Sequence, residues 1–103
     1  MFIMSQQESK VKNLNAVNSK ELLINNSQFK VVCFALEAGD EIPKHSHEAS
    51  AFIQVVNGVV EISFDNGDNY LLNQGDILPF DAKIKHRVMA KEESKIIVTI
   101  VNN

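Results

Sequence analysis

Short apolar segments separated by turn-forming residues constrain the fold of this chain more than any other feature. The segments are rich in Val, Ile, Phe and Leu, which favour β-strands, and no long stretch has the apolar spacing of a helix. The Asn, Asp and Gly residues between them tolerate the backbone angles of tight turns. About eight short strands in one domain predict an all-β barrel or sandwich. The predicted strands span 20–25, 29–36, 51–57, 59–64, 70–72, 77–80, 87–90 and 95–101.

Individual turn and edge residues refine this prediction. Asn66-Gly67 is the strongest hairpin signal, because it stands between two apolar segments and suits a two-residue turn. Pro43 and Pro79 cannot donate a backbone hydrogen bond, so we expect them at strand ends or in edge strands.

Length and composition predict one small domain in a reducing compartment. The chain has 103 residues, of which 45% are hydrophobic, so it can bury a core without disulfides. Cys33 is the single cysteine, and we expect it to be a small buried residue of a cytoplasmic protein. No segment is long and apolar enough for a transmembrane helix or a signal-peptide core. We interpret residues 1–13 as a polar N-terminal arm and residues 14–103 as the barrel domain.

The charge pattern argues against nucleic acid as a partner. Ten Lys and Arg residues stand against thirteen Asp and Glu residues, which gives a net charge of −3 without a basic block. We therefore expect neither a nucleic-acid partner nor a membrane partner, but a small-molecule ligand or substrate.

The three histidines are the candidate metal ligands. His45 and His47 are two residues apart, a spacing that places both imidazoles on one face if the segment is a regular strand. His86 lies far along the chain, just before another extended apolar segment. The three can form one site only if the fold brings these two segments together.

Two glycine and histidine spacings match a known family. Gly39, His45, His47 and Gly58 follow the first cupin motif, G-x5-H-x-H-x3-E-x6-G. Gly75 and His86 follow the outer spacing of the second, G-x5-P-x-G-x2-H-x3-N. The chain therefore resembles a small single-domain cupin of the RmlC-like type. The resemblance implies a double-stranded β-helix, or jelly-roll barrel, over 39–101, with 20–36 supplying the preceding strands.

The departures from these motifs bear on function. Ala51 occupies the slot of the first-motif glutamate, so the carboxylate that usually completes a cupin metal site is missing. Glu48 does not replace it, because on a regular strand it would face away from His47. In the second motif, Asp81, Lys83 and Ala90 replace the usual Pro, Gly and Asn. We expect Lys83 and its neighbour Lys85 to lie in a solvated loop.

Three neutral imidazoles without a carboxylate predict an open, positively charged metal site. Such a set suits a divalent ion such as Fe, Zn, Ni or Mn and leaves a position for another ligand. The remaining positive charge favours anionic ligands such as carboxylates, enolates or thiolates. The family resemblance further implies a metal-dependent oxidoreductase of dioxygenase type, since three-histidine cupins include such enzymes.

Three functions remain open at this point. The first is a metal-dependent enzyme, dioxygenase-like or related, that acts on a small anionic metabolite. The second is a non-catalytic cupin that binds or senses a small molecule. The third is a metal-free isomerase or epimerase with a histidine as base, which also requires an acid partner that the sequence does not identify.

Alternation along the segment 51–57 predicts its two faces and the oligomeric state. Ala51, Ile53 and Val55 are expected to face the barrel interior, and Phe52, Gln54 and Val56 the outside. An outer stripe containing Phe52 and Val56 requires a cover, and a second copy of the chain is the simplest one. Single-domain cupins commonly pair through sheet faces or through exchange of the N-terminal segment, so the resemblance also implies a homodimer.

Overall fold

The computed structural model describes residues 9–102, and within them nine strands form two antiparallel sheets. The predicted all-β fold is confirmed, and no helix among these residues has the length and apolar character needed to cross a membrane. The strands are β1 (Lys20–Asn25), β2 (Phe29–Leu36), β3 (Glu41–His45), β4 (Ala49–Asn57), β5 (Val59–Phe64), β6 (Asn69–Asn73), β7 (Ile77–Asp81), β8 (His86–Ala90) and β9 (Ser94–Asn102).

The strand order brings together segments that are distant in sequence. The larger sheet has the order β1-β2-β9-β4-β7, and the smaller sheet has the order β3-β8-β5-β6. β9 pairs with both β2 and β4, so the last strand joins the early strands of the larger sheet. β8 pairs with both β3 and β5 in the smaller sheet. This arrangement places the first histidine segment directly beside the second.

The two sheets share one apolar core. Ile53 and Ile96 from the larger sheet, and Val60 and Ile62 from the smaller sheet, have no solvent-exposed surface. These side chains belong to a single cluster of contacting residues from both sheets. Burying a side chain of this size stabilises the fold by about 1.5 to 3 kcal/mol relative to leaving it exposed. The core therefore holds the sheets together.

The predicted faces of β4 are confirmed. Ala51, Ile53 and Val55 are buried, whereas Gln54 is exposed, and Phe52 and Val56 are partly buried on the opposite face. Cys33 is also fully buried, as expected of a small apolar side chain in β2.

The edge positions of both prolines are confirmed. Pro43 lies in β3 and Pro79 lies in β7, and each of these strands forms an edge of its sheet. An edge strand tolerates proline because one side of its backbone needs no partner strand.

One prediction for the histidine pair is wrong: His45 and His47 do not share a strand. β3 ends at His45, its pairing with β8 is irregular between Ile42 and His45, and residues 46–48 form a loop. The backbone N–H of His47 donates instead to the carbonyl of Ala82, at 2.8 Å, in the loop that precedes β8. His47 therefore enters the site from a loop rather than from a regular strand.

The segment that follows the predicted N-terminal arm is attached to the larger sheet, while residues 1–8 of that arm lie outside the described residues. The Asn13 side chain accepts a hydrogen bond from the backbone N–H of Asn15 and caps a short 3₁₀ turn, Leu14–Ala16. Lys95 of β9 donates its Nζ to the Leu14 carbonyl at 2.6 Å. Val17, which follows the turn, is only 3% exposed. The chain's own β9 thus anchors the segment that leads into β1.

Candidate functional site

A cavity of about 550 Å³ lies between the two sheets and contains all three histidines. Most of its wall is apolar, and its polar groups are imidazoles and ammonium groups. No Asp or Glu among the described residues 9–102 lines it. The polar residues of the wall are Lys20, Lys30, Lys44, His45, His47 and His86.

His45 and His86 form the centre of the candidate site. They are direct cross-strand partners in β3 and β8, and their ring centroids are 4.4 Å apart. His86 is 3% exposed, whereas His45 is partly exposed. The sheet pairing thus unites two histidines that are separated by four intervening strands along the chain.

Both of these imidazoles are oriented by backbone carbonyls. His45 Nδ1 is 2.7 Å from the Pro43 carbonyl oxygen, and His86 Nδ1 is 2.8 Å from the Ile84 carbonyl oxygen. A carbonyl oxygen can only accept, so each Nδ1 carries the hydrogen and donates it. In the neutral ring, Nε2 then keeps a lone pair, which is the form of histidine that can bind a metal ion.

His47 lies beside this pair. Its ring centroid is 5.2 Å from that of His45, with the two rings nearly perpendicular at 76°. As the side chains stand, no group of three His, Cys, Asp or Glu residues within 9–102 is arranged to hold a metal ion. The fold therefore brings the three predicted ligands into one cavity, although their side chains are not arranged around a common point.

The surroundings favour the neutral forms of two of these histidines. Burial lowers the pKa of His86, and the neighbouring His45 and His47 lower it further, while its hydrogen bond to Ile84 acts in the opposite direction. Partial burial lowers the pKa of His47, followed by the effects of His45 and Lys30. Neutral imidazoles are the ligating species, so these shifts favour metal binding near neutral pH.

Two phenylalanines that the sequence analysis did not identify surround His86. The Phe80 ring centroid is 4.8 Å from that of His86, and the Phe64 centroid is 5.8 Å away. The two phenylalanine rings also contact each other edge to face, at 5.5 Å. These rings hold the buried imidazole in place and exclude water from one side of it.

Aromatic packing fills the space beside Ala51, the residue that replaces the glutamate of the first motif. Ala51 is 5% exposed, and its cross-strand partner in β7 is Phe80. Directly paired residues on one sheet face have Cβ atoms about 4.5 to 5.5 Å apart, so a longer side chain at position 51 would meet the Phe80 ring. The pairing joins strands that are distant in sequence, so no pattern within either segment could have revealed it.

The glutamate slot yields a two-variant prediction. We expect Ala51→Glu alone to lower the free energy of unfolding by about 1 to 3 kcal/mol through overpacking, with little gain in metal affinity. Combining it with Phe80→Ala makes room for the carboxylate, so the double variant should bind divalent metal more tightly than Phe80→Ala alone. Urea denaturation measures the free energy of unfolding of Ala51→Glu. Calorimetric titration with Zn²⁺ measures the metal affinities of the double variant and of Phe80→Ala. Equal affinities in the double variant and in Phe80→Ala would show that position 51 does not reach the histidines.

Three lysines that the sequence analysis did not identify also line the cavity. Lys44 pairs with Asp65 at 2.7 Å, and the Lys20 ammonium group lies 5.6 Å from the centre of the Phe34 ring. Lys30 is close enough for its charge to lower the pKa of His47. Lys20 is two residues from Leu22 on β1, and Lys30 is two residues from Val32 on β2, so each lysine shares a strand face with an apolar residue of the wall. This spacing was the available sequence signal.

The charged residues singled out in the sequence, Glu48, Asp81, Lys83 and Lys85, lie outside the cavity wall. Glu48 is exposed in the loop 46–48, so it does not supply the missing carboxylate. Asp81 accepts a hydrogen bond from the Lys83 backbone N–H at 3.0 Å. Lys83 and Lys85 are exposed in the loop before β8, as predicted.

Comparison with known proteins agrees with the fold and the motifs. Residues 32–102 match the family described as "Cupin domain", and the chain belongs to this family. An RmlC-like cupin protein from Desulfovibrio desulfuricans is 30% identical, with a TM-score of 0.81 over 92% of this chain and 97% of that one. No curated protein matches the chain.

More distant structures share the fold alone. A conserved protein of unknown function from Streptococcus pyogenes is 23% identical, with a TM-score of 0.79 over 100% of this chain and 96% of that one. A cupin superfamily protein from Desulfitobacterium hafniense is 16% identical, with a TM-score of 0.81 over 94% of each chain. The double-stranded β-helix predicted from the motifs is therefore confirmed.

Proposed function

We propose that this cupin binds a small anionic molecule in its barrel cavity, at a divalent metal centre held by His45, His47 and His86. The observation that carries the proposal is the convergence of the three histidines on one cavity, with two of them held in the ligating tautomer by backbone carbonyls. The absence of any carboxylate from the described cavity wall leaves that wall positively charged, which favours an anion.

The donor set is chemically suited to such an ion. Three neutral imidazoles are appropriate ligands for divalent Fe, Zn or Ni, and Mn is the further candidate. When bound, the ion would supply positive charge that polarises a coordinated carboxylate, enolate or thiolate. Because the histidines contribute no negative charge, an anionic ligand would be needed to balance the site.

Titration of chelator-treated protein with a divalent metal tests the proposal directly. We expect about one Zn²⁺ or Ni²⁺ ion per chain by calorimetry. Acetohydroxamate, an anionic chelating probe, should then bind the metal-loaded protein and not the metal-free protein. Absence of metal binding by a folded sample would overturn the proposed metal centre.

A non-catalytic role in binding or sensing is the second candidate function, and the composition of the cavity favours it. General acid and base catalysis usually draws on a carboxylate or a histidine pair with distinct roles. The described wall contains no carboxylate, and its histidines are those assigned to the metal. The absence of a carboxylate from the described wall also counts against a metal-free isomerase or epimerase, whose acid partner would have to be a lysine or a second histidine.

A dioxygenase-like oxidoreductase is the enzyme activity most compatible with this site, because it would depend on the metal rather than on a protein acid or base. Oxygen consumption by iron-loaded protein, measured with small thiols, diketones and aromatic carboxylates, distinguishes a dioxygenase-like enzyme from a non-catalytic binding protein. Uptake above that of His86→Phe treated with iron in the same way supports the enzyme, and its absence across the panel supports the binding role.

We also propose that the protein is a homodimer formed through the outer face of the larger sheet. Phe52 and Val56 are only partly buried there, and Ile77, the cross-strand partner of Gln54, is 57% exposed. Light scattering at micromolar concentration should give twice the 11.5 kDa chain mass. Ile77→Lys, which changes an exposed side chain, should shift the mass toward the monomer. A wild-type mass of 11.5 kDa would contradict the proposal.

A further inference from the structure

The larger sheet contributes an apolar surface to the cavity beyond the histidines. Leu22 of β1 is paired with Val32 of β2, and Val32 is in turn paired with Val98 of β9. All three line the cavity, as does Phe34 two residues further along β2. Leu22 is 48% exposed, and Val32, Phe34 and Val98 are only partly buried. The inner face of β1, β2 and β9 thus presents a continuous apolar strip inside the cavity.

Positive groups lie at both ends of this strip. Lys30 precedes Val32 on the same face of β2. It also begins a cross-strand row that runs through Ile100 and Ala51 to Phe80, whose ring packs against His86, so this end adjoins the histidines. Lys20, the cross-strand partner of Phe34, lies at the other end with its ammonium group over the Phe34 ring. Lys44 also lines the cavity, but it is paired with Asp65. Lys30 is therefore the lysine best placed to hold an anion beside the histidines.

We infer that the cavity accepts an amphipathic carboxylate, with its anionic group held by Lys30 at the histidine end of the strip and its apolar body along Leu22, Val32, Phe34 and Val98. This inference rests on the proposed function for the cavity and for the anionic ligand, but not on the metal. A volume of about 550 Å³ lies within the range of about 300 to 1,000 Å³ typical of small-molecule sites. A fully polar anion would leave the apolar strip in contact with water.

Straight-chain alkanoates test the inference, because they vary the apolar body at constant charge. Chelator-treated protein is titrated calorimetrically with butanoate, hexanoate, octanoate and decanoate, and with octanol as the uncharged counterpart. Affinity should rise about three- to fourfold per added methylene until the strip is filled. Octanoate should bind at least about tenfold more tightly than octanol, because only the anion is attracted to the Lys30 ammonium group.

Two exposed lysines provide a matched pair of variants. Lys30→Gln should weaken octanoate binding about fivefold or more and leave octanol binding unchanged. Lys83→Gln removes the same charge from an exposed loop outside this cavity and should change neither affinity. A fall of equal size in both variants would indicate a general charge effect and overturn the role of Lys30.

The results separate this inference from the metal proposal. If the protein binds metal but shows no increase in affinity with alkanoate length, the amphipathic ligand is wrong and the metal centre stands. If alkanoates bind with the predicted dependence on Lys30 while no metal binds, the metal centre is wrong and the ligand class stands.

Discussion

Replacing Gly58 by alanine is expected to lower the free energy of unfolding by about 2 to 5 kcal/mol, from backbone strain and overpacking together. Gly58 has φ +89°, and a Cβ built there would overlap Ser94 Oγ and lie 2.5 Å from the Glu93 carbonyl oxygen. The carbonyl belongs to the backbone, so the clash cannot be relieved by rotating a side chain. Urea denaturation followed by circular dichroism measures the change.

Gly67→Ala is the matched control for this variant. Gly67 has a similar backbone angle, φ +97°, but a Cβ there would meet no atom within 4 Å. Its substitution should therefore cost only the strain of a positive φ, about 1 to 2 kcal/mol. If the two variants lose the same stability, the close approach of Gly58 to residues 93 and 94 is not what requires glycine.

Gly58 lies close to Ser94, whose side chain forms hydrogen bonds at a corner between the two sheets. Ser94 Oγ accepts from the Val59 backbone N–H at 3.0 Å and donates to the Glu92 carbonyl at 2.8 Å. Ser94 is 2% exposed, so displacing its hydroxyl would leave buried polar groups without partners. The corner joins β4 of the larger sheet to β5 of the smaller one, so its distortion should affect the relative placement of the sheets.

Replacing His86 by alanine is expected to lower divalent metal affinity by at least about 100-fold, because only two neutral ligands would remain. His86 is the most buried of the three histidines and packs against Phe64 and Phe80, so the alanine variant also leaves a cavity. His86→Phe removes the ligand while retaining an aromatic ring of similar size. Elemental analysis of untagged protein, purified without added metal, measures the occupancy of each variant.

The pH dependence of metal binding provides a second readout for the same site. The pKa values of His47 and His86 lie below the ordinary histidine value of 6.5, so their neutral, ligating forms persist at pH 6.5. We expect wild-type affinity to hold at that pH and to fall below about pH 6 as the imidazoles become protonated. Equal metal content in wild type and His86→Phe at pH 7 would refute the assignment of His86 as a ligand.

Patterns within single segments were sufficient to predict eight of the nine strands, all but β3, and the two faces of β4. Alternation in 51–57 placed Ile53 and Val55 inside the barrel and Gln54 outside, and the structure agrees. A strand side chain points opposite to its immediate neighbours whatever its partner strand, so this information is local. The glycine and histidine spacings predicted the cupin fold through their resemblance to the two motifs of that family, and each motif lies within a short stretch of the chain.

Tertiary structure alone decided the detailed composition of the site. The β3 ladder ends where His45 meets His86, so His47 lies in a loop bonded to Ala82 rather than on the predicted strand. Phe80 fills the space beside Ala51 because β7 pairs with β4.

The position and charge of the groups around the cavity were likewise decided by the tertiary structure. Lys30 of β2 is near enough to His47 for its charge to lower the pKa of that imidazole, because β9 lies between β2 and β4 in one sheet and brings these strands together. Such contacts depend on pairing between distant segments, and the local alternation that identifies a strand carries no information about its partner. The sequence by itself therefore predicted most of the strands, the fold family and the histidines as candidate ligands. The tertiary structure decided which residues surround those histidines and which charged groups line the cavity.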